Sequence, residues 1–253
     1  WNDKNLHDHL QPKIDLLIGG SPCQGFSFAG NQLNFDDQRS KLFFEYVRIL
    51  KETKPKYFLL ENVRMSKQSQ DVISEALGVE PITINSNLMS AQNRHRLYWT
   101  NIPFDMPTDK EMVLADILED GITDRTKSHC LDANYFKGGN LKSYFEKHRR
   151  QLVFSDEGLC QVGEADLNGH DLIKRVYHAK GKAPTLNTCT GGNREPKVFV
   201  TPKNWRKLTP LECERLQTVP DGYTKGVSNT QRYKMLGNGF TVDVIAHILE
   251  GIK

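Results

Sequence analysis

The sequence predicts an α/β fold built around a parallel sheet, and three observations lead to that prediction. Residues 14–20 and 56–63 are apolar over most of their length and have the pattern of buried strands. Between them, apolar side chains recur at helical spacing over 42–50. Strand, helix and strand in this order form the βαβ unit of a parallel sheet, in which ligands bind beyond the carboxyl ends of the strands.

The first strand runs into a long polar loop. The segment "SPCQGFSFAGNQLNFDDQR" (21–39) has no clear period, and loops of this length in compact domains are usually functional or disordered. Ser40 suits the N-cap of the following helix, which we expect to end before Pro55. The predicted buried face of that helix consists of Leu42, Phe43, Tyr46, Val47 and Leu50.

The remaining elements lie on either side of a less regular stretch. A strand is predicted over 97–100, and a polar, glycine-punctuated texture begins after Pro103. Further on, Thr209, Pro210 and Glu212 form a capping box at the start of a helix that ends before Pro220. We also expect a last helix over about 240–251, with Val242, Ile245, Ile248 and Leu249 on one face. The predicted division is therefore a catalytic domain over 1–103, an insertion over 104–200 and a return to the catalytic domain over 201–253.

The composition of the chain indicates the class of protein and the compartment in which it works. The chain has 253 residues, 38% of them hydrophobic, and a net charge of +3, values that suit a soluble protein and only weakly favour a polyanionic partner. The cysteines are odd in number and irregularly spaced, which argues against a disulfide framework and a structural zinc site and for a reducing compartment. No signal peptide and no apolar run of membrane-spanning length is seen. We therefore expect a cytoplasmic protein with no metal site.

Four residues stand where chemistry is expected. Cys23 follows a proline at the start of the polar loop, where neighbouring backbone N–H groups favour a thiolate, although a cysteine after a strand is more often a packed core residue. Glu61 ends an apolar strand, where a carboxylate needs a partner or a purpose, although it could also simply leave the core for water. Gln92, Arg94 and Arg96 are spaced two residues apart at the start of a predicted strand, so their side chains are expected on one face. The alternative interpretation of the two arginines is a basic strand edge in contact with solvent.

Five blocks, taken together and in this order, resemble the cytosine-C5 DNA methyltransferase family. They resemble its Pro-Cys loop, its Glu-Asn-Val motif, its Gln-x-Arg-x-Arg motif, its Arg-x-Leu-x-x-x-Glu block and its final Gly-Asn motif. In the same order they read "GGSPCQGFS", "LLENV", "QNRHRLYW", "RKLTPLECERLQTVPDGY" and "YKMLGNGFTVDV". The resemblance covers most of the chain, and over 14–103 it is to bacterial and phage members in particular.

The resemblance implies a Rossmann-like S-adenosylmethionine-dependent methyltransferase fold with an inserted target-recognition region over 104–200. It also implies a role for each catalytic candidate. Cys23 adds to C6 of a flipped-out cytosine, Glu61 supplies a proton or hydrogen bond at N3, and Arg96, with Arg94 beside it, holds the O2 edge or a flanking phosphate. The methyl group comes from S-adenosylmethionine, for which the resemblance leaves Pro22, Leu42, Asn238 and Phe240 as contacts.

The implied partner is double-stranded DNA, in a restriction-modification or phage-protection role. Gln24, Ser27 and Arg39 are expected to reach DNA from the polar loop. In the inserted region, "LKSYFEKHRRQLVF" (141–154) interleaves basic and aromatic side chains, and Arg149 and Arg150 are its candidate DNA contacts. An amphipathic segment with a solvated basic side explains the same pattern equally well.

The resemblance is incomplete at the N-terminal end. The chain begins at Trp1, just after the place where the family has its first three strands and its main cofactor motifs. We therefore expect those strands to be missing here, with the corresponding segment absent or carried on a complementing chain, and weak binding of the methyl donor. Two alternatives remain open, a tRNA cytosine-C5 methyltransferase and a catalytically inactive DNA-binding fragment.

Overall fold

The computed structural model describes residues 13–20, 41–155, 161–164, 175–178, 197–199 and 205–253. The chain forms two compact units. The first comprises Trp1–Leu88, Arg94–Thr108 and Asp243–Lys253, and the second comprises Met89–Asn93 and Asp109–Val242. In the part of the chain that is described, no helix is long and apolar enough to cross a membrane.

A four-stranded sheet organises the first unit. Its strands, in chain order, are β1 (Leu16–Gly19), β2 (Tyr57–Val63), β3 (Ile82–Asn85) and β4 (His95–Thr100). Their spatial order is β1-β2-β4-β3. Its helices, in the described part of the chain, are α1 (Lys41–Thr53), α2 (Lys67–Leu77) and α6 (Val242–Leu249), the last of which begins at the boundary between the units.

The predicted strand–helix–strand unit is confirmed, because β1 and β2 pair in parallel and α1 connects them. The buried face of α1 carries Phe43, Tyr46 and Val47, which pack with Leu60 and Trp99. Leu50 is only partly buried, and Leu42, predicted to share that face, is 51% exposed. The face is therefore narrower than its apolar pattern indicated.

The second half of the sheet departs from the parallel arrangement. Strand β4 runs antiparallel to both of its neighbours, β2 and β3. Only a 3₁₀ turn (Ser86–Leu88) and a short irregular segment connect β3 to β4, and so short a connection cannot hold the crossover that parallel neighbours require. The reversal brings the N-terminal end of β4 to the C-terminal end of β2.

Among the residues that the structure describes, the second unit combines short strands with three α-helices. Its strands form two small sheets. These elements are α3 (Leu141–Lys147), β5 (Leu152–Phe154), β6 (Gln161–Glu164), β7 (Arg175–His178), β8 (Lys197–Phe199), β9 (Trp205–Lys207), α4 (Pro210–Leu216) and α5 (Asn229–Asn238). Strand β5 pairs with β9, and β6, β7 and β8 form the second sheet.

The capping box predicted for α4 is confirmed. The Thr209 hydroxyl accepts a hydrogen bond from the Glu212 backbone N–H, and the Glu212 carboxylate accepts one from the Thr209 N–H at 2.7 Å. Helix α4 then contributes Cys213 and Leu216 to the core of the second unit. The predicted last helix is also present, but it is shorter than expected, over Val242–Leu249, and its first residue is 42% exposed.

The two compact units of the structure do not have the same boundaries as the domains predicted from the sequence. The predicted insertion ended at residue 200, whereas the second unit extends to Val242 and also takes in Met89–Asn93. The physical reason is packing, since Leu208, Cys213, Leu216, Tyr233 and Leu236 share one core with residues from the 114–153 region. The functional assignment of 104–200 to target recognition stays a prediction.

Candidate active site

A buried ion pair joins β2 and β4 near the C-terminal end of β2. Glu61 lies opposite Tyr98, and Arg96 lies opposite Val63, so Glu61 and Arg96 are diagonal neighbours on one face of the sheet. The Arg96 Nε donates to Glu61 Oε1 at 2.8 Å, and each side chain is only 13% exposed. The expectation that Glu61 ends its strand is wrong, because β2 continues to Val63.

The environment raises the pKa of Glu61. Burial raises the pKa of the Glu61 carboxyl above its ordinary value, while the charges of Arg96 and Arg94 oppose that rise without cancelling it. Burial in the same place raises the pKa of the Tyr98 hydroxyl, and the Glu61 charge adds to the effect. A carboxyl that keeps its proton more readily than usual suits a general acid near neutral pH.

Arg94 is held inside the protein. Its side chain is buried, its backbone N–H donates to Asn85 Oδ1 at 2.9 Å, and its carbonyl accepts from the Ser86 N–H at 3.0 Å. Arg96 also donates from Nη1 to the His95 carbonyl at 2.8 Å. A solvated basic edge is therefore excluded for both arginines, since one is buried and the other pairs with Glu61.

Strand β1 ends beside α1 with very little space to spare. A Cβ placed on Gly19 would lie 2.6 Å from Cδ2 of the Tyr46 ring, so only glycine lets the strand and the helix approach this closely. The Tyr46 hydroxyl also donates to the Leu17 carbonyl at 3.4 Å. The contact fixes where the chain leaves the sheet before the predicted Pro-Cys loop.

The loop itself is outside the described residues. The predictions that fall there are the nucleophile Cys23, the cofactor contact Pro22 and the DNA contacts Gln24, Ser27 and Arg39. These assignments stay predictions.

The other predicted cofactor contacts belong to different elements. Leu42 lies on α1 in the first unit and is exposed. Asn238 is the last residue of α5 in the second unit and is exposed, and Phe240 follows it and is half-buried. Just before them, Gly237 lets α5 approach the segment at residue 132, because a Cβ there would lie 2.3 Å from the Asp132 backbone.

Arg149 and Arg150, the two arginines predicted to touch DNA from the inserted region, both make internal contacts. Arg149 is an exposed side chain whose Nη2 lies 3.2 Å from the Asp132 carboxylate. Arg150 is half-buried and donates from Nη1 to the Gly138 carbonyl at 2.8 Å. Arg150 thus helps to fold the second unit, and its role as a DNA contact stays a prediction.

Sequence reasoning missed two features near these motifs. Tyr98 borders Glu61, and its position two residues after Arg96 in a strand was the available signal. Gln92, which had been grouped with the arginines, instead binds within the second unit, where its Nε2 donates to the Leu216 carbonyl at 2.7 Å and to Gln217 Oε1 at 3.0 Å. Gln92 is therefore a structural residue of that unit.

Comparisons with known proteins bear on the family of this chain. The model of the family "C-5 cytosine-specific DNA methylase" matches residues 2–253. The chain is 30% identical to the type II methyltransferase M1.ScrFI of Lactococcus lactis subsp. cremoris, over 98% of this chain and 63% of that protein. It is 32% identical to the type II methyltransferase M.HpaII of Haemophilus parainfluenzae, over 93% of this chain and 71% of that protein. The chain thus spans about two thirds of the length of these relatives.

A solved structure supports the fold. The methyltransferase EhMeth of Entamoeba histolytica superposes with a TM-score of 0.60 at 15% identity, over 94% of this chain and 78% of that chain. The predicted Rossmann-like methyltransferase fold is confirmed, with the antiparallel β4 as its departure from an all-parallel sheet. The ion pair between β2 and β4 lies in two of the five sequence blocks, and the family model covers nearly the whole chain: this protein belongs to the C-5 cytosine-specific DNA methylase family.

Proposed function

We propose that this chain carries the catalytic and DNA-reading parts of a DNA cytosine-C5 methyltransferase that acts through a covalent Cys23–C6 adduct. The single observation that carries the proposal is the Glu61–Arg96 pair, a buried carboxyl with a raised pKa beside a guanidinium. Membership of the family supports DNA as the substrate.

The first chemical step belongs to Cys23. C5 of cytosine is a poor nucleophile, and addition of a thiolate at C6 breaks the C5–C6 double bond and makes C5 enamine-like. The thiolate is the attacking species, and an ordinary cysteine is only slightly ionised near pH 7, so the loop has to stabilise the charged form. After methylation a base removes the C5 proton, the double bond re-forms and Cys23 leaves as thiolate.

Glu61 stabilises the negative charge that the addition creates on the cytosine ring. Electron density moves from the C5–C6 bond toward N3 and O2, and a proton or hydrogen bond from the Glu61 carboxyl to N3 relieves it. Positioned proton transfer of this kind typically contributes about 10² to 10⁴ in rate. Arg96 keeps the carboxyl in place through its Nε, and its guanidinium is suited to the O2 edge of the same base.

Three side chains in the described part of the chain are suited to contact the methyl donor. Leu42 offers an exposed apolar contact of the kind that an adenine ring needs, and Asn238 offers an exposed amide for the polar groups of an amino acid. Phe240 adds a half-buried aromatic face. These residues would hold S-adenosylmethionine, which when bound supplies an electrophilic methyl group for C5.

The target base has to leave the duplex. Both faces of a stacked cytosine are covered, and a carboxyl that is 13% exposed cannot reach N3 while that atom is paired, so the base is flipped out at a cost of a few kcal/mol. The region 104–200 would read the flanking bases. The two bacterial relatives are named type II methyltransferases, which together with the family match supports a role in DNA modification.

The decisive experiment measures exchange of the cytosine C5 hydrogen with solvent in duplex DNA. The exchange needs thiolate addition and proton transfer but no methyl donor, so weak donor binding does not obscure the result. Wild-type protein should release tritium from C5-labelled duplex, and Cys23→Ala should release none. With S-adenosylmethionine added, a duplex that contains 5-fluorocytosine should also trap a covalent complex.

The matched control is Cys130→Ala, which removes a half-buried cysteine of the second unit and should leave exchange unchanged. Exchange or trapping that survives Cys23→Ala would show that another group is the nucleophile. Exchange with tRNA but not with duplex DNA would favour the tRNA enzyme, and no exchange with either would favour an inactive DNA-binding fragment.

A further inference from the structure

Three lysines in the second unit gather around two aromatic rings. The Nζ atoms of Lys137 and Lys234 lie 5.8 Å and 5.3 Å from the centre of the Phe136 ring. The Nζ of Lys207 lies 4.5 Å from the centre of the Tyr233 ring and donates to the Phe136 carbonyl at 3.2 Å. Residues far apart in the sequence are thus brought to one place, which we name the lysine cluster (Lys137, Lys207 and Lys234).

The lysine cluster has no acidic partner among the residues that the structure describes. The ion pairs found there leave out all three lysines, although they include the neighbouring basic residues. Arg149 pairs with Asp132, and Arg206 pairs with Glu212. Arg149 and Arg206 therefore pair with carboxylates, whereas the three lysines contact ring faces and one carbonyl among the described residues.

The folded unit holds two of the ammonium groups at a spacing that suits a phosphate backbone. Because Lys137 and Lys234 lie within 6 Å of the same ring centre, their ammonium groups are no more than about 12 Å apart. Duplex DNA carries one phosphate charge for about every 3.4 Å of each strand, so a surface of this size spans several phosphates. A phosphate backbone would supply the anionic partner that the described residues do not provide for these lysines.

We propose that the lysine cluster, formed by Lys137 of the predicted base-reading region 104–200 and by Lys207 and Lys234 beyond it, is a binding site for the phosphate backbone of duplex DNA. The identity of the anion rests on the proposed function. Lysine is suited to this task because its ammonium is a compact point charge that meets a phosphate from many directions. The rings of Phe136 and Tyr233 hold the lysine stems in place, so less side-chain freedom is lost when DNA binds.

Such contacts position the duplex and carry no sequence information. The lysine cluster would therefore contribute equally to target and non-target DNA, and Lys137 and Lys234, both exposed, can be changed without opening the core. Lys207 should stay unchanged in the test, because its bond to the Phe136 carbonyl also supports the fold.

The experiment measures the affinity for a fluorescent duplex at several salt concentrations, by anisotropy, for the double variant Lys137→Gln with Lys234→Gln. Each lost phosphate contact lowers the slope of log affinity against log salt by about 0.9, so the slope should fall by about 1.8 and the affinity at 0.1 M salt by more than about tenfold. The double variant Lys137→Arg with Lys234→Arg should keep most of the slope.

The control is Lys51→Gln with Lys54→Gln, which removes the same charge from two exposed residues at the end of α1. An unchanged slope in the cluster variant would mean that the lysines only cover the rings, and an equal loss in the control would mean that net charge alone matters. Either result overturns the proposal.

Tritium exchange in the same samples separates this proposal from the proposed function. Exchange at saturating duplex should be normal in the cluster variant. A wild-type protein that binds duplex with the expected slope but never exchanges tritium would defeat the proposed chemistry and leave the phosphate site standing.

Discussion

Two buried glutamates, one in each unit, are treated in opposite ways by the fold. Glu61 in the first unit has one ion pair at 2.8 Å, and burial raises its pKa. Glu214 in the second unit is fully buried and accepts from the Gly222 N–H at 2.6 Å, the Thr224 N–H at 2.8 Å, the Thr224 hydroxyl and the Arg232 guanidinium at 2.9 Å. Burial alone would raise the pKa of Glu214, but the hydrogen bonds from Thr224 and Arg232 outweigh it and lower the pKa.

The difference teaches how to tell a structural carboxylate from a chemical one. At Glu214 the charged form is satisfied from several directions, so its charge stays and the turn around Gly222 is fixed. At Glu61 the charged form is only partly compensated, so the pKa is raised and the carboxyl takes up and gives away a proton more readily near neutral pH. Both residues are buried, and the number of hydrogen-bond donors around each carboxylate determines whether its pKa is raised or lowered.

The largest expected effect of a substitution is on the chemistry at Glu61. Glu61→Gln keeps the size of the side chain but removes the transferable proton, so tritium exchange from cytosine C5 should slow by about 10² to 10⁴. Duplex affinity should change little. The exchange rate at saturating DNA is the measurement, and Glu75→Gln, an exposed glutamate on α2, is the matched control. A Glu61→Gln rate within tenfold of the wild type would remove Glu61 from the mechanism.

The next effect is on the stability of the second unit. Glu214→Gln leaves the Arg232 guanidinium without its carboxylate in a buried place, and breaking a buried pair in this way costs about 3 to 5 kcal/mol. Urea unfolding would measure the loss. Exchange at saturating DNA should persist below the new unfolding midpoint. A cost under about 1 kcal/mol would mean that Glu214 is not the structural counterpart of Glu61.

Opposite pH dependences should separate the two residues further. The lowered pKa of Glu214 gives stability that is present above the carboxyl's unfolded pKa and is lost as the pH falls through the folded pKa. The raised pKa of Glu61 gives a penalty that is absent at low pH and grows as the pH rises through the folded pKa. As the pH rises from about 2 toward 7, Glu214→Gln should therefore become more destabilising relative to the wild type, mainly below the ordinary carboxyl pKa, and Glu61→Gln less so, mainly above it. Unfolding midpoints across that range are the measurement, and shifts of the same sign would contradict the assignment.

The smallest effect concerns a third buried carboxylate, Glu212, whose helix depends on its N-cap. Thr209→Ala removes the hydroxyl that accepts from the Glu212 N–H, and loss of such a cap costs about 1 kcal/mol. Thr209→Ser keeps the hydroxyl and should restore most of the stability. Thermal unfolding of the two variants is the measurement. An equal loss of stability in both would mean that the threonine methyl group, and not the N-cap hydrogen bond, provides the stabilisation.

The sequence predicts the elements that have strong local signals. The apolar runs that form β1 and β2, the helix between them and the capping box at Thr209 are all present in the structure. Helix α2 was missed although its signals were there, with Ser66 as N-cap and Gly78 in the left-handed conformation at its end, because its apolar residues are few. Strand β3 was missed because it has only four residues, two of them exposed.

Direction and partners are harder to read from a sequence. Apolar periodicity is the same for a strand that runs up or down the sheet, so the reversal of β4 had no local signal. The grouping of Glu61 with Arg96 came from the order of the sequence blocks, and the structure adds the contact and its polarity. Gln92 has the same phase as the arginines, yet its partners are the Leu216 carbonyl and Gln217, which no spacing rule relates to it.

The position of Gln92 bears on how recognition regions could be exchanged between relatives. Residues 109–242 look like a cassette that could be cut out between Thr108 and Asp243 and replaced. Gln92 lies outside that cassette in the sequence but binds inside it in space, and its Oε1 also accepts from the Leu131 N–H at 3.3 Å. A graft that moves only the long segment would leave a buried amide with foreign neighbours, so a working chimera should carry Met89–Asn93 along with it.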